Sequence, residues 1–295
     1  MTILKQLNKA VNQLKTISSS PNLDAEILLS YAINKPKEYL YAHPEKELTE
    51  LQTKKIQKYI KRRKNYEPVA YITEKKEFYG LTFKVNKNTL IPRPETELMV
   101  EEVINIVKAS ETSERNKILI IDVGTGSGCI AISLAKNLKR ICGQIFAIDI
   151  SKKALNIAKY NAAKNKISAN KIKFLHGDLL KPIKTVLKKS SNIIITANLP
   201  YLSDNIYKNT SPEIRKYESP QALIAGKDGL KYYKKLFPQI KKFLPKQELS
   251  ILCEIDPSQT KAITALARKH FTSPEIEIKK DLAGLNRLVI IKAIH

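Results

Sequence analysis

Cysteine is scarce in this sequence. The three that occur, Cys129, Cys142 and Cys253, are odd in number, and no Cys-x-x-Cys pair or Cys/His cluster is present. This pattern argues against a disulfide framework and against a bound metal. Because their neighbours are mostly apolar, we expect all three to pack in a core, as free thiols do in a reducing cytoplasm.

Long apolar runs are absent as well. No stretch approaches the roughly 18 apolar residues of a membrane-spanning helix. Residues 1–16 lack the apolar segment and cleavage site of a secretory signal, and they contain no Arg, which a transit peptide favours. We therefore expect a cytoplasmic protein without a membrane partner.

Negative charge is also in short supply. The 52 Lys and Arg residues outnumber the 28 Asp and Glu residues, which gives a formal net charge of +24. Such a field favours acidic partners, including nucleic acid or a ribonucleoprotein, and is compatible with work near the ribosome. Only eight of the 52 are Arg, the residue expected at base-reading sites. The positive charge therefore either forms a binding surface for an acidic partner or reflects a Lys-rich composition without a binding role.

The chain is long enough for two domains. Residues 1–67 repeat apolar residues at helical spacing, and Thr49 to Gln52 matches a capping box, so we predict a small all-helical domain there. In residues 68–92 the strand-like segments Val69–Ile72 and Leu81–Val85 predict a β-hairpin linker.

Residues 93–295 are predicted to form an α/β domain. Strands and helices alternate from about residue 117, which is typical of a doubly wound sheet. Ile118–Val123 has the apolar run of a strand buried on both faces, and Ser151 is expected to cap a helix. Ile276–Lys280 and Arg287–Lys292 are too close for a parallel crossover, so at least one strand pair near the end must be antiparallel.

A glycine-rich loop follows the first strand of this domain and precedes a helix. Such a turn needs residues without a Cβ, and bare backbone lets a ligand approach closely. The loop reads Asp122-Val123-Gly124-Thr125-Gly126-Ser127-Gly128. Its G-x-G-x-G spacing departs from the G-x-G-x-x-G of dinucleotide-binding proteins.

Two acids follow at the ends of the next two strands. Asp149 can accept hydrogen bonds from the ribose hydroxyls of a nucleoside. Asp178 can accept from an adenine amino group, and Leu179 can pack on the ring. The carboxyl ends of successive parallel strands meet at one edge of a sheet, so these groups and the glycine loop predict a nucleoside site.

The fourth strand runs into Asn198-Leu199-Pro200-Tyr201. An amide nitrogen is a poor nucleophile, and acceptors on its two N–H bonds hold it in line with a methyl donor. The Asn198 side-chain oxygen and the Leu199 carbonyl can be these acceptors. Pro200 fixes its own φ and so steadies that carbonyl, and Tyr201 can cover a flat amide or base.

This order of motifs resembles the class I S-adenosylmethionine-dependent methyltransferases, and within them the release factor glutamine methyltransferases. The second resemblance rests also on Ile91-Pro92-Arg93-Pro94-Glu95-Thr96-Glu97, on Glu254-Ile255 with Gln259, and on Lys280-Asp281-Leu282-Ala283-Gly284 with Arg287. It implies a Rossmann-like seven-stranded sheet with an antiparallel last strand. The activity it implies is methylation of the glutamine in the Gly-Gly-Gln loop of peptide chain release factors.

The resemblance also implies roles for individual residues. The cofactor would contact Gly124, Thr125, Gly126, Ser127, Gly128, Asp149, Asp178 and Leu179. Asn198 would lie between cofactor and substrate, and Asn198, Pro200 and Tyr201 would be the catalytic residues. Leu199 would complete the glutamine pocket, while Arg93, Glu95 and Thr96 would line its entrance. The N-terminal helices would hold the release factor.

The sequence departs from the family pattern at two positions. Leu199 stands where the family usually has the first proline of Asn-Pro-Pro-Tyr. The inferred contact is a backbone carbonyl, so the chemistry survives with a less rigid loop. Glu74 stands where the family favours glycine, which bears on the hairpin prediction.

Other functions share the Asn-Leu-Pro-Tyr motif. An adenine amino group offers the same two donors as a glutamine amide, so methylation of rRNA or DNA adenine is one alternative, and methylation of a ribosomal-protein glutamine is another. A third is a binding module that kept the cofactor fold without turnover. The long segment before Gly124 and the early end after the last strand favour the release factor.

Overall fold

The computed structural model describes residues 1–111, 115, 117–138, 143–185, 192–245 and 248–294. These form two compact units, Met1–Lys75 with Ser211–Glu218 and Lys76–Thr210 with Ser219–His295. Cys129 and Cys253 are buried free thiols, whereas Cys142 lies outside the described residues. No helix in the described ranges combines the length and apolar character that crossing a bilayer requires.

The first unit is helical. Its helices are α1 (Ile3–Leu14), α2 (Pro21–Ile33), α3 (Lys37–Ala42), α4 (Glu50–Lys64) and α5 (Val69–Thr73), and Ser211–Glu218 adds the short α10 (Pro212–Tyr217). The capping box predicted for α4 is present, with reciprocal bonds of 3.2 and 3.0 Å between Thr49 and Gln52. Buried Arg63 pairs with Asp24 at 2.7 Å and Glu213 at 2.9 Å, and so ties α10 to the other helices.

The strand predicted at Val69–Ile72 is wrong, because these residues form α5. The amides of Tyr71 and Ile72 bond to the Pro68 carbonyl at 2.9 and 3.0 Å, and both side chains are buried. Burial of this turn outweighs the β-propensity of its side chains. The helix ends at Glu74 in the left-handed conformation, with φ 54°, which accounts for the family's preference for glycine there.

A hairpin is present, but its first strand is Lys75–Phe78 and not the predicted Val69–Ile72. It consists of β1 (Lys75–Phe78) and β2 (Leu81–Lys84). Tyr79 and Gly80 join them with φ of 49° and 69°, and two positive φ values are the signature of a tight hairpin turn.

The second unit contains the predicted seven-stranded sheet. Its strands are β3 (Leu119–Val123), β4 (Ile145–Asp149), β5 (Ile172–His176), β6 (Asn192–Ala197), β7 (Glu248–Glu254), β8 (Glu275–Lys280) and β9 (Asn286–Ile294). They lie in the order β5-β4-β3-β6-β7-β9-β8. All pairs are parallel except those of β9, which runs antiparallel to β7 and β8, so the predicted reversed last strand is confirmed.

Helices cover both faces of the sheet. They are α6 (Glu97–Ala109), α7 (Cys129–Asn137), α8 (Lys152–Lys164), α11 (Lys231–Phe243) and α12 (Thr260–His270). The short α9 (Asp204–Lys208) follows β6 and buries none of its residues. Alternate residues of β3 enter two separate cores, with Ile121 in one and Ile120 in the other. The chain order reverses between β3 and β6, so a crevice opens at their carboxyl ends, where ligands bind in such folds.

Candidate active site

The glycine loop connects β3 to α7 at this crevice. Gly124, Gly126 and Gly128 all have positive φ, at 76°, 55° and 83°. A Cβ on Gly128 would lie 2.8 Å from Ile132 and 3.1 Å from Ala158, whereas a Cβ on Gly126 would meet only the Gly124 carbonyl, at 3.9 Å. Gly128 therefore combines a left-handed backbone with close packing against α7 and α8, while the loop stays open above Gly126. The structure brings Thr125 and Ser127 into the same loop, where both are buried.

Buried Asp122 fixes this loop to the neighbouring strand. Its carboxylate accepts from the Thr125 hydroxyl at 2.6 Å and from the Thr196 hydroxyl at 2.9 Å. Burial raises the pKa of Asp122 to about 6, although both hydroxyl donors act to lower it. The ends of β3 and β6 are thus joined through one side chain, which sets the spacing of the two motifs that follow them.

Asp149 lies at the end of β4, next to the loop. Its two oxygens accept from the backbone N–H groups of Gly126 and Ser151, both at 2.8 Å. Burial raises the pKa of Asp149, and these two donors oppose the rise. The carboxylate keeps lone pairs for further donors, and Ile150, which follows it, is 70% exposed. An exposed apolar side chain beside an acid suits the base and ribose of a nucleoside. Ile150 was not among the site residues predicted from the sequence.

The adenine contacts were predicted for Asp178 and Leu179, and these two residues differ in their exposure. The Asp178 carboxylate pairs with Lys181 at 2.8 Å and is partly exposed. Leu179 is only 7% exposed and belongs to the core on one face of the sheet, with φ of 53°. Asp178 therefore stays accessible to a ligand, whereas most of the Leu179 side chain packs inside the protein.

Asn198 to Tyr201 leave β6 directly beside the glycine loop. The Leu199 side chain is buried, and its Cδ2 would lie 3.0 Å from a Cβ placed on Gly124. The hydroxyl of buried Tyr233, on α11, shares its one proton between the Glu254 carbonyl at 2.5 Å and the Ala197 carbonyl at 3.0 Å, and it also hydrogen bonds with the Leu199 backbone. A proline at 199 has no N–H for this contact, so Tyr233 supplies part of the rigidity that the missing proline takes away.

A second clamp holds the carbonyl of Tyr201. It accepts from the side-chain amide of Gln259 at 2.6 Å, and this amide also donates to the Asp228 carbonyl at 3.1 Å. Gly229 lies against both groups, since a Cβ there would be 2.1 Å from the Tyr201 oxygen and 2.0 Å from the Gln259 nitrogen. Only glycine fits at this position. The contact joins residues far apart in the chain, and so it escaped sequence analysis.

Glu254, the last residue of β7, is completely enclosed in the site. It accepts from Thr96 at 2.7 Å, from the Asn198 side-chain amide at 3.0 Å and from the Tyr201 hydroxyl at 3.1 Å. Burial raises the pKa of Glu254 and also that of Tyr201. In the sequence, Glu254 belongs to a motif shared with the family, but no role was predicted for it. Its place at the end of an apolar strand is the same signal that selected Asp149 and Asp178.

The entrance residues are divided by burial. Thr96, at the end of a 3₁₀ turn (Pro94–Thr96), is 1% exposed and bonds to Asn198 and Glu254. Glu95 is exposed, and Arg93 is half-buried and close enough to Tyr201 that its charge lowers the pKa of that phenol, against the larger effect of burial. Thr96 thus supports Asn198 from behind, while Arg93 and Glu95 are more exposed than Thr96.

The site brings a nucleoside-type crevice and an amide-type pocket together. Gly124 to Gly128 and Asp149 lie on one side of the β3–β6 crevice, and Asn198 to Tyr201 lie on the other. In the residues that the structure describes, no group of three or more His, Cys, Asp or Glu side chains could hold a metal ion. The acceptors present, the Asp149 carboxylate and the Asn198 side-chain oxygen, suit the hydroxyls of a nucleoside and the N–H groups of an amide.

Comparison with known proteins gives matches over both units. Residues 5–73 match the PrmC N-terminal domain, and residues 114–282 match a methyltransferase domain. The chain is 36% identical over 288 residues to the release factor glutamine methyltransferase of Bacillus subtilis, covering 98% of this chain and 96% of that protein. It is 35% identical over 293 residues to that of Coxiella burnetii, covering 99% of each.

Longer relatives also match. The bifunctional methyltransferase of Rickettsia bellii is 36% identical over 316 residues, covering 100% of this chain and 55% of that protein, so this chain spans about half of it. Among solved structures, the catalytic domain of human METTL16 in complex with MAT2A 3′UTR hairpin 1 has a TM-score of 0.57 at 14% identity, covering 91% of both chains. The N-terminal domain of human METTL16 in complex with SAH has a TM-score of 0.50 at 14% identity, covering 91% of this chain and 94% of that one. At this identity the two likenesses show the fold alone.

Proposed function

Because the chain belongs to the release factor glutamine methyltransferase family, we propose that it methylates the glutamine side chain in the Gly-Gly-Gln loop of a release factor. The methyl donor is S-adenosylmethionine. The observation that carries the proposal is the position of Asn198 to Tyr201 at the end of β6, across the crevice from the glycine loop.

The residues of the crevice fit this donor. The open backbone at Gly126, the Asp149 carboxylate and the exposed Ile150 would hold its nucleoside, and Asp178 is accessible for the adenine amino group. When bound, S-adenosylmethionine supplies a methyl group attached to a sulfonium sulfur. The substrate nitrogen would bond to this methyl carbon in place of sulfur, the electron pair of the carbon–sulfur bond would stay on sulfur, and the nitrogen would lose one proton to water.

Asn198 and Leu199 would position the amide for this step. The Asn198 Oδ1 and the Leu199 carbonyl each accept from one N–H of the glutamine amide, and this favours the positive charge that develops on nitrogen. Pro200 steadies the carbonyl, and the ring of Tyr201 covers the amide. Arg93 and Glu95 would meet the approaching loop.

We also propose where the substrate is bound and where the reaction occurs. The helical region, predicted as residues 1–67, would hold the body of the release factor, with the hairpin linker of 68–92 and the methyltransferase domain of 93–295 after it. The net charge of +24 suits an acidic partner surface or a place near the ribosome. A cytoplasmic location fits a substrate of translation termination.

The test is transfer of labelled methyl to three acceptors: the release factor, the same factor with its loop glutamine replaced, and ribosomal RNA. We expect label on the intact factor alone. Label on the RNA without label on the factor would instead identify an adenine methyltransferase.

The Asn198→Ala variant tests the pocket in the same assay. Loss of one amide acceptor is expected to abolish transfer, while affinity for the donor stays within about threefold because the donor is held mainly by the loop and Asp149. Turnover close to that of the unmodified chain would place the amide elsewhere.

A further inference from the structure

Hydrogen positions around Asn198 are fixed by Glu254. The Thr96 hydroxyl has one proton, and it donates that proton to Glu254 Oε2 at 2.7 Å. Its oxygen can therefore only accept, and it accepts from Asn198 Nδ2 at 3.0 Å. Nδ2 also donates to Glu254 Oε2, again at 3.0 Å. The Thr96 and Glu254 oxygens thus hold the amide nitrogen of Asn198, and Oδ1 is left for another donor.

The opposite orientation of the Asn198 amide is disfavoured by the same groups. Rotation by half a turn would place Oδ1 against a carboxylate oxygen and against a hydroxyl oxygen whose proton points away. Two acceptor–acceptor contacts inside a buried site cost more than a neutral hydrogen bond returns. An amide without this support could turn its N–H groups toward the substrate.

We propose that Glu254 is a positioning residue for methyl transfer, which holds the Asn198 carboxamide with Oδ1 facing the substrate amide. This inference rests on the proposed function for its activity readout. Glu254 acts through Asn198 and Thr96, and it also fixes Tyr201 by accepting from the phenol at 3.1 Å. One buried carboxylate therefore orients two of the residues assigned to the substrate pocket.

This orientation of the Asn198 amide requires the Glu254 carboxylate to be ionised. Thr96, Asn198 and Tyr201 all donate to Glu254. If Glu254 were protonated, its own O–H would face one of these donors and that hydrogen bond would be lost. The titratable groups that face it are Glu95, Cys129, Tyr201, Tyr233 and Arg287. Burial raises the pKa of Glu254, while the donors and the Arg287 charge act against this. As the pH falls through that raised pKa, the orientation of Asn198 is lost.

The experiment compares Glu254→Gln with Thr96→Val and a matched control, Glu248→Gln. Glu248 begins the same strand and is exposed. For each chain, kcat and KM for the release factor, the dissociation constant for the methyl donor and the pH profile of kcat are measured. The side-chain amide resonances of Asn198, identified by their loss in Asn198→Asp, are followed by NMR as the pH is lowered.

We expect Glu254→Gln to lower kcat by about tenfold or more, because a charge-assisted acceptor becomes a neutral one. Thr96→Val is expected to lower kcat to a similar extent. KM and donor affinity stay within about threefold in both variants, and Glu248→Gln matches the unmodified chain. The acid limb of the kcat profile and the pH-dependent shift of the Asn198 resonances disappear in Glu254→Gln.

The proposal is overturned if kcat stays within about twofold and the Asn198 resonances keep their pH dependence in Glu254→Gln. It is also overturned if donor affinity falls as much as kcat, since Glu254 would then support the whole crevice. If the Glu254→Gln chain does not fold, the NMR titration of the unmodified chain still tests the proposal. Asn198 resonances that do not shift with pH in that titration would contradict it. If no release factor is methylated, the proposed function fails, while the NMR result still decides the role of Glu254.

Discussion

Replacing Gly229 with alanine tests how tightly the Asn-Leu-Pro-Tyr loop is held. The new Cβ would lie 2.1 Å from the Tyr201 carbonyl oxygen and 2.0 Å from the Gln259 nitrogen, so both atoms must move away by more than about 1 Å to reach ordinary contact. Gly80 is the matched control. Its φ of 69° is close to the 70° of Gly229, but a Cβ on Gly80 meets nothing within 4 Å.

The two variants share one cost and differ in another. Placing alanine in the left-handed region costs about 1–2 kcal/mol of unfolding free energy at either position. The clash at Gly229 adds about 1–3 kcal/mol, as overpacking does in other buried sites. We therefore expect Gly229→Ala to lose about 2–5 kcal/mol. A 1 Å shift of the loop also lowers kcat by about 100-fold, whereas Gly80→Ala keeps its turnover.

The measurement combines urea unfolding with methyl transfer to the release factor, both well below the midpoint of thermal unfolding. The difference between the two variants isolates the clash from the backbone strain. If Gly229→Ala and Gly80→Ala lose the same stability and Gly229→Ala keeps its kcat, then the carbonyl of Tyr201 is not held where the structure places it.

Three further expectations concern single side chains. Asp149→Ala is expected to weaken donor binding by about 1.5–3 kcal/mol in calorimetry, the scale of a charge-assisted hydrogen bond, and unchanged affinity would move the ribose site elsewhere. Tyr233→Phe removes a hydroxyl shared by the Glu254 and Ala197 carbonyls and the Leu199 backbone, so we expect a loss of about 1–3 kcal/mol in denaturant unfolding and a lower kcat. Stability equal to the parent would contradict these contacts. Glu74→Gly relieves a left-handed residue at the end of α5 and is expected to raise unfolding free energy by about 0.5–1 kcal/mol, while a fall would mean that Glu74 contacts outweigh its strain.

Elements with a strong local signal were predictable from sequence. The fourth strand, predicted to run into Asn198, is β6 (Asn192–Ala197), and Ser151 caps its helix by accepting from the Ala154 amide at 3.2 Å. The connection between the last two strands is too short for a parallel crossover, and β8 and β9 are indeed antiparallel. The segment Val69–Ile72 misled because its β-branched and aromatic side chains serve a buried helical turn equally well.

The site was predictable only where its residues follow a strand end. Asp149 and Asn198 could be placed because parallel strands bring their carboxyl ends to one edge. Gly229, Gln259 and Tyr233 act on the loop from elements distant in sequence, and nothing local marks those contacts. Glu254 met the strand-end criterion, but its partners Thr96 and Asn198 are known only from the fold.

The position of β9 has a consequence for how the sheet avoids misalignment. Val289 and Ile291 enter one core while Leu288 and Ile290 enter the other, so both faces of this strand are apolar. Hydrophobic alternation, which penalises a one-residue slip in half-exposed strands, therefore discriminates poorly here. Polar contacts at the start of the strand supply what is missing. Arg287 bonds to Asp281 at 3.1 Å and its backbone and side chain to Ile255 at 3.0 and 3.3 Å. Arg287 therefore fixes the register of β9, in addition to placing a positive charge near Glu254. A single-residue deletion in β9 would displace Arg287 from the end of the sheet that carries Glu254.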